Sequence, residues 1–219
     1  MSTPLSHRRS FVQRHTRLRD VEGLDGIRLH LAVAVEPVWR ATEEAAGAEG
    51  EPIPFWAFAW AGGIALARFV MEHPDEVRGR SVLDFATGSG VVAIAAARAG
   101  AARVTAADID PLAEAAVELN ARANAVHVGF LRRNLLDEGL PPDVDVILAG
   151  DTWYEGPLAE RVLPWLRSAS ARGTRVLVGD PGRKYLPAAG LSELARYDVR
   201  TTTTLEDRDV LEARVFTLA

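Results

Sequence analysis

Val82-Leu83-Asp84-Phe85-Ala86-Thr87-Gly88-Ser89-Gly90 begins as an apolar run, ends that run on an acid and passes through small residues into an Ala-rich segment. The order predicts a strand, a tight turn and a helix N-terminus. Small residues in such a turn let a ligand approach the backbone closely, because little or no side chain stands in the way. About two dozen residues on, Arg103-Val104-Thr105-Ala106-Ala107-Asp108-Ile109-Asp110 reads as a second short strand ending on an acid. That is the spacing at which nucleoside-binding folds set a carboxylate on ribose hydroxyls.

The loop also speaks to which nucleoside. A dinucleotide fingerprint reads G-x-G-x-x-G and sets a pyrophosphate at the helix N-terminus. Here the order is acid-x-Ala-x-Gly-x-Gly. An acid at the end of the first strand disfavours a phosphate and favours a ligand with an ammonium or sulfonium. S-adenosylmethionine carries both, and it is the expected cofactor, held by Asp84, Ala86, Gly88, Gly90, Asp108 and Ile109.

From Ser81 the chain alternates strand and helix. Strands are expected at 81–85, 103–107, 126–131, 145–149 and 174–179, and helices at 89–99, 111–124 and 157–169. Such alternation builds a parallel sheet with helices on both faces. Tyr197 to Thr204 and Val210 to Leu218 are separated by too little chain for a crossover helix, so they should pair as an antiparallel hairpin. The expected fold is α/β and Rossmann-like, a seven-stranded, mostly parallel sheet with an antiparallel C-terminal strand. Upstream, Ile27–Leu31 reads as a short strand, 41–54 as a loop, and the segment from Ile64 to His73 as a helix. Residues 1–54 are read as an N-terminal arm and extension, and 55–219 as the cofactor-binding domain. The first 19 residues carry five arginines and no acid, which fits a solvated basic arm; an organellar transit peptide has the same look.

The chain has 219 residues and a formal charge of -5, which argues against a binder driven by phosphate contacts. The Asn/Asp-Pro-Pro-aromatic signature for a flipped base is also missing after the fourth strand. There is no cysteine, so thiol catalysis and zinc-thiolate sites are excluded. His30, His73 and His127 lie far apart and show no ligand spacing, so no metal is expected. No apolar run approaches the ~20 residues that span a bilayer, and no membrane partner is expected.

Ligands in open α/β sheets sit beyond the carboxyl ends of the strands. Asn134 and Leu135 fall there, where an adenine edge is bonded and its face packed; an ordinary strand-exit loop reads the same. Gly150-Asp151-Thr152-Trp153-Tyr154 is the other chemistry-bearing stretch. Methyl transfer from a sulfonium is an in-line displacement, so it chiefly needs alignment. Asp151 is expected to hold and orient an acceptor ammonium, with Trp153 and Tyr154 as walls that attract the cation. The alternative makes Asp151 a helix cap and the rings core. Trp60, before Gly62-Gly63, covers the methionine end of the cofactor or merely seals the sheet; Phe55 and Phe58 are read as packing. Asp180-Pro181-Gly182-Arg183 is a turn, or a turn whose Arg183 shapes the substrate mouth.

Taken in order, Phe55 to Gly63, Asp84 to Gly90, Asp108-Ile109-Asp110-Pro111, Gly150 to Tyr154 and Gly179-Asp180-Pro181-Gly182-Arg183 resemble the seven-β-strand protein-lysine methyltransferases. Within them the set resembles the electron transfer flavoprotein β-subunit lysine methyltransferase family, over roughly residues 27–219. The resemblance implies that Trp60, the 84–90 loop and Asp108 bind S-adenosylmethionine. It implies that Asp151 and Tyr154 match an acid-x-aromatic-Tyr substrate motif, and that the partner is an electron transfer flavoprotein β-subunit. Ala86 stands where the family commonly has glycine, Trp153 where phenylalanine is more usual, and Ala61 where proline is often found. A small-molecule amine or pyridine N-methyltransferase on the same fold stays open as the alternative. The expected compartment is the bacterial cytoplasm, or the mitochondrial matrix if the basic N-terminus is a transit peptide.

Overall fold

A computed structural model describes residues 4–47, 50, 53–201, 206 and 208–218. The sheet that carries the site is built from β3 (Ser81–Phe85), β4 (Arg103–Asp108), β5 (Gly129–Arg132), β6 (Val146–Gly150), β7 (Arg175–Asp180), β8 (Leu191–Arg200) and β9 (Val210–Leu218). A separate two-stranded ribbon pairs β1 (Arg17–Asp20) with β2 (Arg28–Leu31). The helices are α1 (Leu5–His15), α2 (Val35–Ala46), α3 (Ala61–Glu72), α4 (Val91–Arg98), α5 (Pro111–Ala123), α6 (Leu135–Glu138) and α7 (Gly156–Ser170).

The strand order is β5-β4-β3-β6-β7-β9-β8. The chain leaves β3 outward to β4 and β5, then crosses back to β6, so the order reverses beside β3. β3 is parallel to both neighbours, with Asp84 level with Ala106 and Leu148. β9 runs antiparallel to both β7 and β8, as the hairpin reading expected. The strand-to-helix crevice at the carboxyl ends of β3, β4 and β6 is therefore where a ligand belongs.

Side-chain alternation along the strands divides the core into two layers. Val82, Val104, Ala106, Val146, Leu148 and Leu177 pack with α3 and α4. Leu83, Phe85, Ala107, Ile147, Ala149, Val176 and Val178 face α7. Both faces being covered explains why the central strands read as unbroken apolar runs.

Two expectations fail upstream. Residues 41–46 are helix, not loop: Val35, Val38, Trp39 and Thr42 recur at helical spacing, Arg40 bonds Glu36 one turn back, and Gly47 closes the helix at φ +68°. Residues 48, 49, 51 and 52 of that expected loop lie outside the described residues. The basic arm is only partly solvated: Arg14, Arg17 and Arg19 are exposed, but Arg8 and Arg9 are not. Residues 5–15 form α1, which lies on α5: Arg8 bonds Glu114 at 2.8 Å and the Pro111 carbonyl at 2.8 Å, and Arg9 bonds Glu118 at 2.8 Å. Local sequence shows only the arginines; their partners sit one turn apart on a helix a hundred residues away. The expected strand 197–204 starts earlier, at Leu191, and ends at Arg200; residues 202–204 lie outside the described residues.

Candidate active site

The loop after β3 is held by side chains from both sides. Asp84 is buried, and its Oδ2 accepts from Thr87 Oγ1 at 2.5 Å and from the Ala93 N–H at 3.0 Å. Burial pushes its pKa up to about 7, against the pull of those hydrogen bonds. Ala86, Gly88 and Gly90 all take left-handed backbone, at φ +53°, +52° and +81°. Only glycine adopts that region without steric cost, so the loop spends strain at Ala86. Asp108, at the end of β4, braces the turn: its Oδ2 accepts from the Gly88 N–H at 2.9 Å and its Oδ1 from the Asp110 N–H at 3.0 Å. Burial raises the Asp108 pKa and the backbone donors oppose that rise. Asp110 in turn caps α5, accepting from the Leu112 N–H at 2.7 Å.

These groups open on a cavity of about 630 Å³, within the ~300–1,000 Å³ range of small-molecule sites. Of the residues expected from sequence, Trp60, Asp84, Ala86, Gly88, Asp108, Ile109, Asn134, Leu135, Asp151, Tyr154 and Arg183 line it. Two do not. Gly90 faces α5, where a Cβ would lie 3.0 Å from Val117 Cγ2. Trp153 is fully buried with Leu83, Ile147, Val162 and Leu166 in the layer under α7, so it is core and not a channel wall. The Asn134 carboxamide is engaged at the start of α6, accepting from the Leu136 N–H at 3.2 Å and donating to Asp137 at 2.6 Å.

At the other end of the cavity, α3 meets the ends of β6 and β7 almost backbone to backbone. A Cβ on Gly62 would overlap the Gly179 carbonyl and stand 2.7 Å from Asp151 Oδ2. That contact lets the N-terminus of α3 reach Asp151, whose Oδ2 accepts from the Gly63 N–H at 2.8 Å. Asp151 itself sits at φ +53°. Its Oδ1 accepts from Arg183 Nε at 3.1 Å and Nη2 at 2.7 Å. Arg183 is aimed by Asp180, whose Oδ1 accepts from the Gly182 and Arg183 N–H groups, both at 2.7 Å. The segment is thus a turn, and its Arg183 lines the cavity.

The same guanidinium donates to Glu206, at 2.7 Å to Oε1 and 2.8 Å to Oε2, and lies 5.6 Å over the Trp60 ring. Burial pushes Asp151 up while the Arg183 charge pulls it down. For Arg183, burial acts downward, but the Glu206 hydrogen bonds and the two carboxylate charges prevail and raise its pKa.

Phe55 belongs to the site rather than to packing alone. It lines the cavity, with its ring 5.0 Å from Tyr154 and 5.6 Å from Trp60, and its carbonyl accepts from Trp60 Nε1 at 3.1 Å. Phe58 is buried as expected, and it too lines the cavity, its ring 5.9 Å from Trp60. Tyr154 is 42% exposed, and burial of its hydroxyl pushes the pKa up to about 12, so it stays protonated at neutral pH. Glu206 carries no sequence signal; it reaches the site from the chain between β8 and β9.

The donor set fits S-adenosylmethionine. Aromatic and apolar walls suit an adenine and a sulfonium, while acids line the loop. The arginines that reach the cavity are each ion-paired, Arg133 with Glu138, Arg161 with Asp137, and Arg183 with Asp151 and Glu206. None of the three is therefore left over for a pyrophosphate.

A family model described as ribosomal protein L11 methyltransferase (PrmA) matches residues 67–150. The chain is 37% identical over 214 residues to the electron transfer flavoprotein beta subunit lysine methyltransferase of Xenopus laevis, covering 95% of this chain and 85% of that protein. It is 38% identical over 170 residues to the Homo sapiens protein of the same name, covering 74% of this chain and 64% of the human one. Among solved structures it resembles a ribosomal protein L11 methylase from Lactobacillus delbrueckii subsp. bulgaricus (22% identity, TM-score 0.51, 74% of this chain and 80% of the other). It also resembles a magnesium protoporphyrin IX methyltransferase from Synechocystis PCC 6803 with bound SAM (18% identity, TM-score 0.52, 72% and 78%). At those identities the structures speak for the fold alone.

Proposed function

The chain belongs to the electron transfer flavoprotein β-subunit lysine methyltransferase family, and on that premise we propose that it methylates a lysine side chain of an electron transfer flavoprotein β-subunit, with S-adenosylmethionine as donor. The observation that carries the reading is the second end of the cavity. There an acid, a tyrosine and an ion-paired arginine stand beside the loop that suits the cofactor.

In this reading Asp108 accepts from the ribose hydroxyls while it braces the 84–90 loop. Asn134 and Leu135 border the adenine, and Trp60 covers the methionine end beside Asp84. When bound, the cofactor supplies a sulfonium-activated methyl group. What the protein adds is alignment of the acceptor for in-line displacement, the main lever in such a transfer. A lysine amine has a reference pKa of about 10.4 and must be neutral to attack. The rings of Phe55 and Tyr154 desolvate it, which lowers that pKa and lets its proton leave to solvent through the open side of the cavity. Asp151, fixed by Arg183 and the Gly63 N–H, orients the incoming amine, and the protonated Tyr154 hydroxyl borders its path. Residues 55–219 form the methyltransferase domain in this scheme, and 1–54 an extension that backs α5.

Among the described residues no helix is long and apolar enough to cross a membrane. The packing of α1 on α5 supports residues 5–15 as part of the folded enzyme.

The test is methyl transfer from labelled donor to the electron transfer flavoprotein of the same organism, with lysines mapped by mass spectrometry. Label on β-subunit lysines is expected. Label only on small amines would replace the protein acceptor by the small-molecule alternative.

A further inference from the structure

We propose that Glu206 is a positioning residue for the acceptor. It shares the Arg183 guanidinium with Asp151, so the acceptor end of the cavity keeps a net negative charge that receives a cationic amine. The inference rests on the lysine-methyltransferase reading and deepens it.

The geometry makes Glu206 more than a staple. Arg183 Nε and Nη2 already satisfy Asp151 Oδ1, and Asp180 already fixes the backbone of the turn. An Asp151–Arg183 pair by itself is neutral. Adding Glu206 brings two further charge-assisted bonds, through Nη1 and Nη2, and a second carboxylate. The three side chains together then carry a formal charge of -1, and the neighbouring Asp180, whose pKa burial pushes up to about 6, adds negative charge at neutral pH. The Glu206 side chain is only 7% exposed, and its desolvation is offset by a guanidinium that Asp151 already shares. A glutamine at the same place would still accept a hydrogen bond from Arg183 without that cost. Glu206 also belongs to the cavity wall, with Trp60, Asp151, Tyr154 and Arg183. An approaching lysine ammonium thus meets a wall of net negative charge, in which the guanidinium is shared and cannot move wholly to either acid.

The experiment is steady-state methylation of the electron transfer flavoprotein β-subunit by the full chain. It compares wild type with Glu206→Gln, Glu206→Asp and Glu206→Ala, with calorimetric binding of S-adenosylhomocysteine alongside. Removing one unit charge from a partly solvated site should raise the acceptor KM of Glu206→Gln about tenfold, more than kcat falls, with cofactor-product affinity within about twofold of wild type. Glu206→Asp keeps the charge and should restore most of the KM. If Glu206→Gln does not fold, Glu206→Ala carries the test: an acceptor KM within about twofold of wild type overturns the proposal. An unchanged KM in Glu206→Gln overturns it too, as does a KM rise that Glu206→Asp fails to reverse. A wild type that methylates no lysine overturns the lysine reading and this inference together; an active wild type with an indifferent Glu206 overturns the inference alone.

Discussion

Replacing Asp151 by asparagine separates its two roles, brace for Arg183 and orienter of the acceptor. The backbone there is left-handed at φ +53°, and asparagine tolerates that region about as well as aspartate, so the turn is kept. The amide oxygen can keep the Gly63 N–H bond of 2.8 Å. Its NH₂ then faces the Arg183 donors, and the contacts at 3.1 and 2.7 Å are lost. Arg183 keeps Glu206, so the loss amounts to about one charge-assisted interaction, roughly 2 kcal/mol. For a chain of this size that lowers the melting temperature by about 4–8 °C. Activity should suffer more. The acceptor end loses its net charge and its orienting oxygen together, and we expect kcat/KM for the protein acceptor to fall about a hundredfold, ~2.7 kcal/mol of transition-state stabilisation. Binding of S-adenosylhomocysteine by calorimetry should stay within about twofold. Full activity in a variant whose melting point has dropped would refute the catalytic argument and leave Asp151 as a structural brace.

Asp108→Ala should weaken S-adenosylhomocysteine binding ten- to a hundredfold, because it removes hydrogen bonds to a charged acceptor worth about 1.5–3 kcal/mol and frees the Gly88 N–H; an unchanged calorimetric dissociation constant in a folded variant would remove Asp108 from the site. Trp153→Ala should cost about 3–5 kcal/mol of stability, as for a large buried ring, with the loss seen as a lower denaturation midpoint; a change in acceptor KM with no loss of stability would return Trp153 to the channel. Ala86→Gly should raise the melting temperature by about 2–4 °C, since it relieves about 1 kcal/mol of left-handed strain at φ +53°; a lower melting temperature would mean that the methyl group packs. Asp84 gives a pH signature. Burial raises its folded pKa to about 7, well above that of an ordinary aspartate, so the folded state holds the proton more tightly. The associated stability is complete below about pH 4 and is lost as pH rises through about 7. The apo protein should therefore melt lower at pH 8 than at pH 5, and Asp84→Asn should flatten that slope; equal slopes in the two proteins would dismiss the assignment.

The sheet and its loop were legible because their signals are local. β3, β4 and β6 read as apolar runs ending near small residues or acids, and each landed within a residue or two of its expected bounds. The short link to Val210 predicted the antiparallel strand, since so short a connection holds no crossover helix. Motif order carried the family and the cofactor. What only the tertiary structure decided depends on partners far along the chain or on a single backbone angle. Arg8 and Arg9 look like a solvated run until Glu114 and Glu118 of α5 are brought against them. Beyond the left-handed residue Asp151, strand alternation no longer says which way a ring points, so Trp153 enters the core while Tyr154 lines the cavity. Glu206 stands in a charged stretch with no motif, and it becomes part of the site because the fold sets its carboxylate against Arg183. Sequence records which residue types are available and how they repeat. The charge around a half-buried guanidinium depends on the groups that lie within about 3 Å of it, and folding alone determines which groups those are.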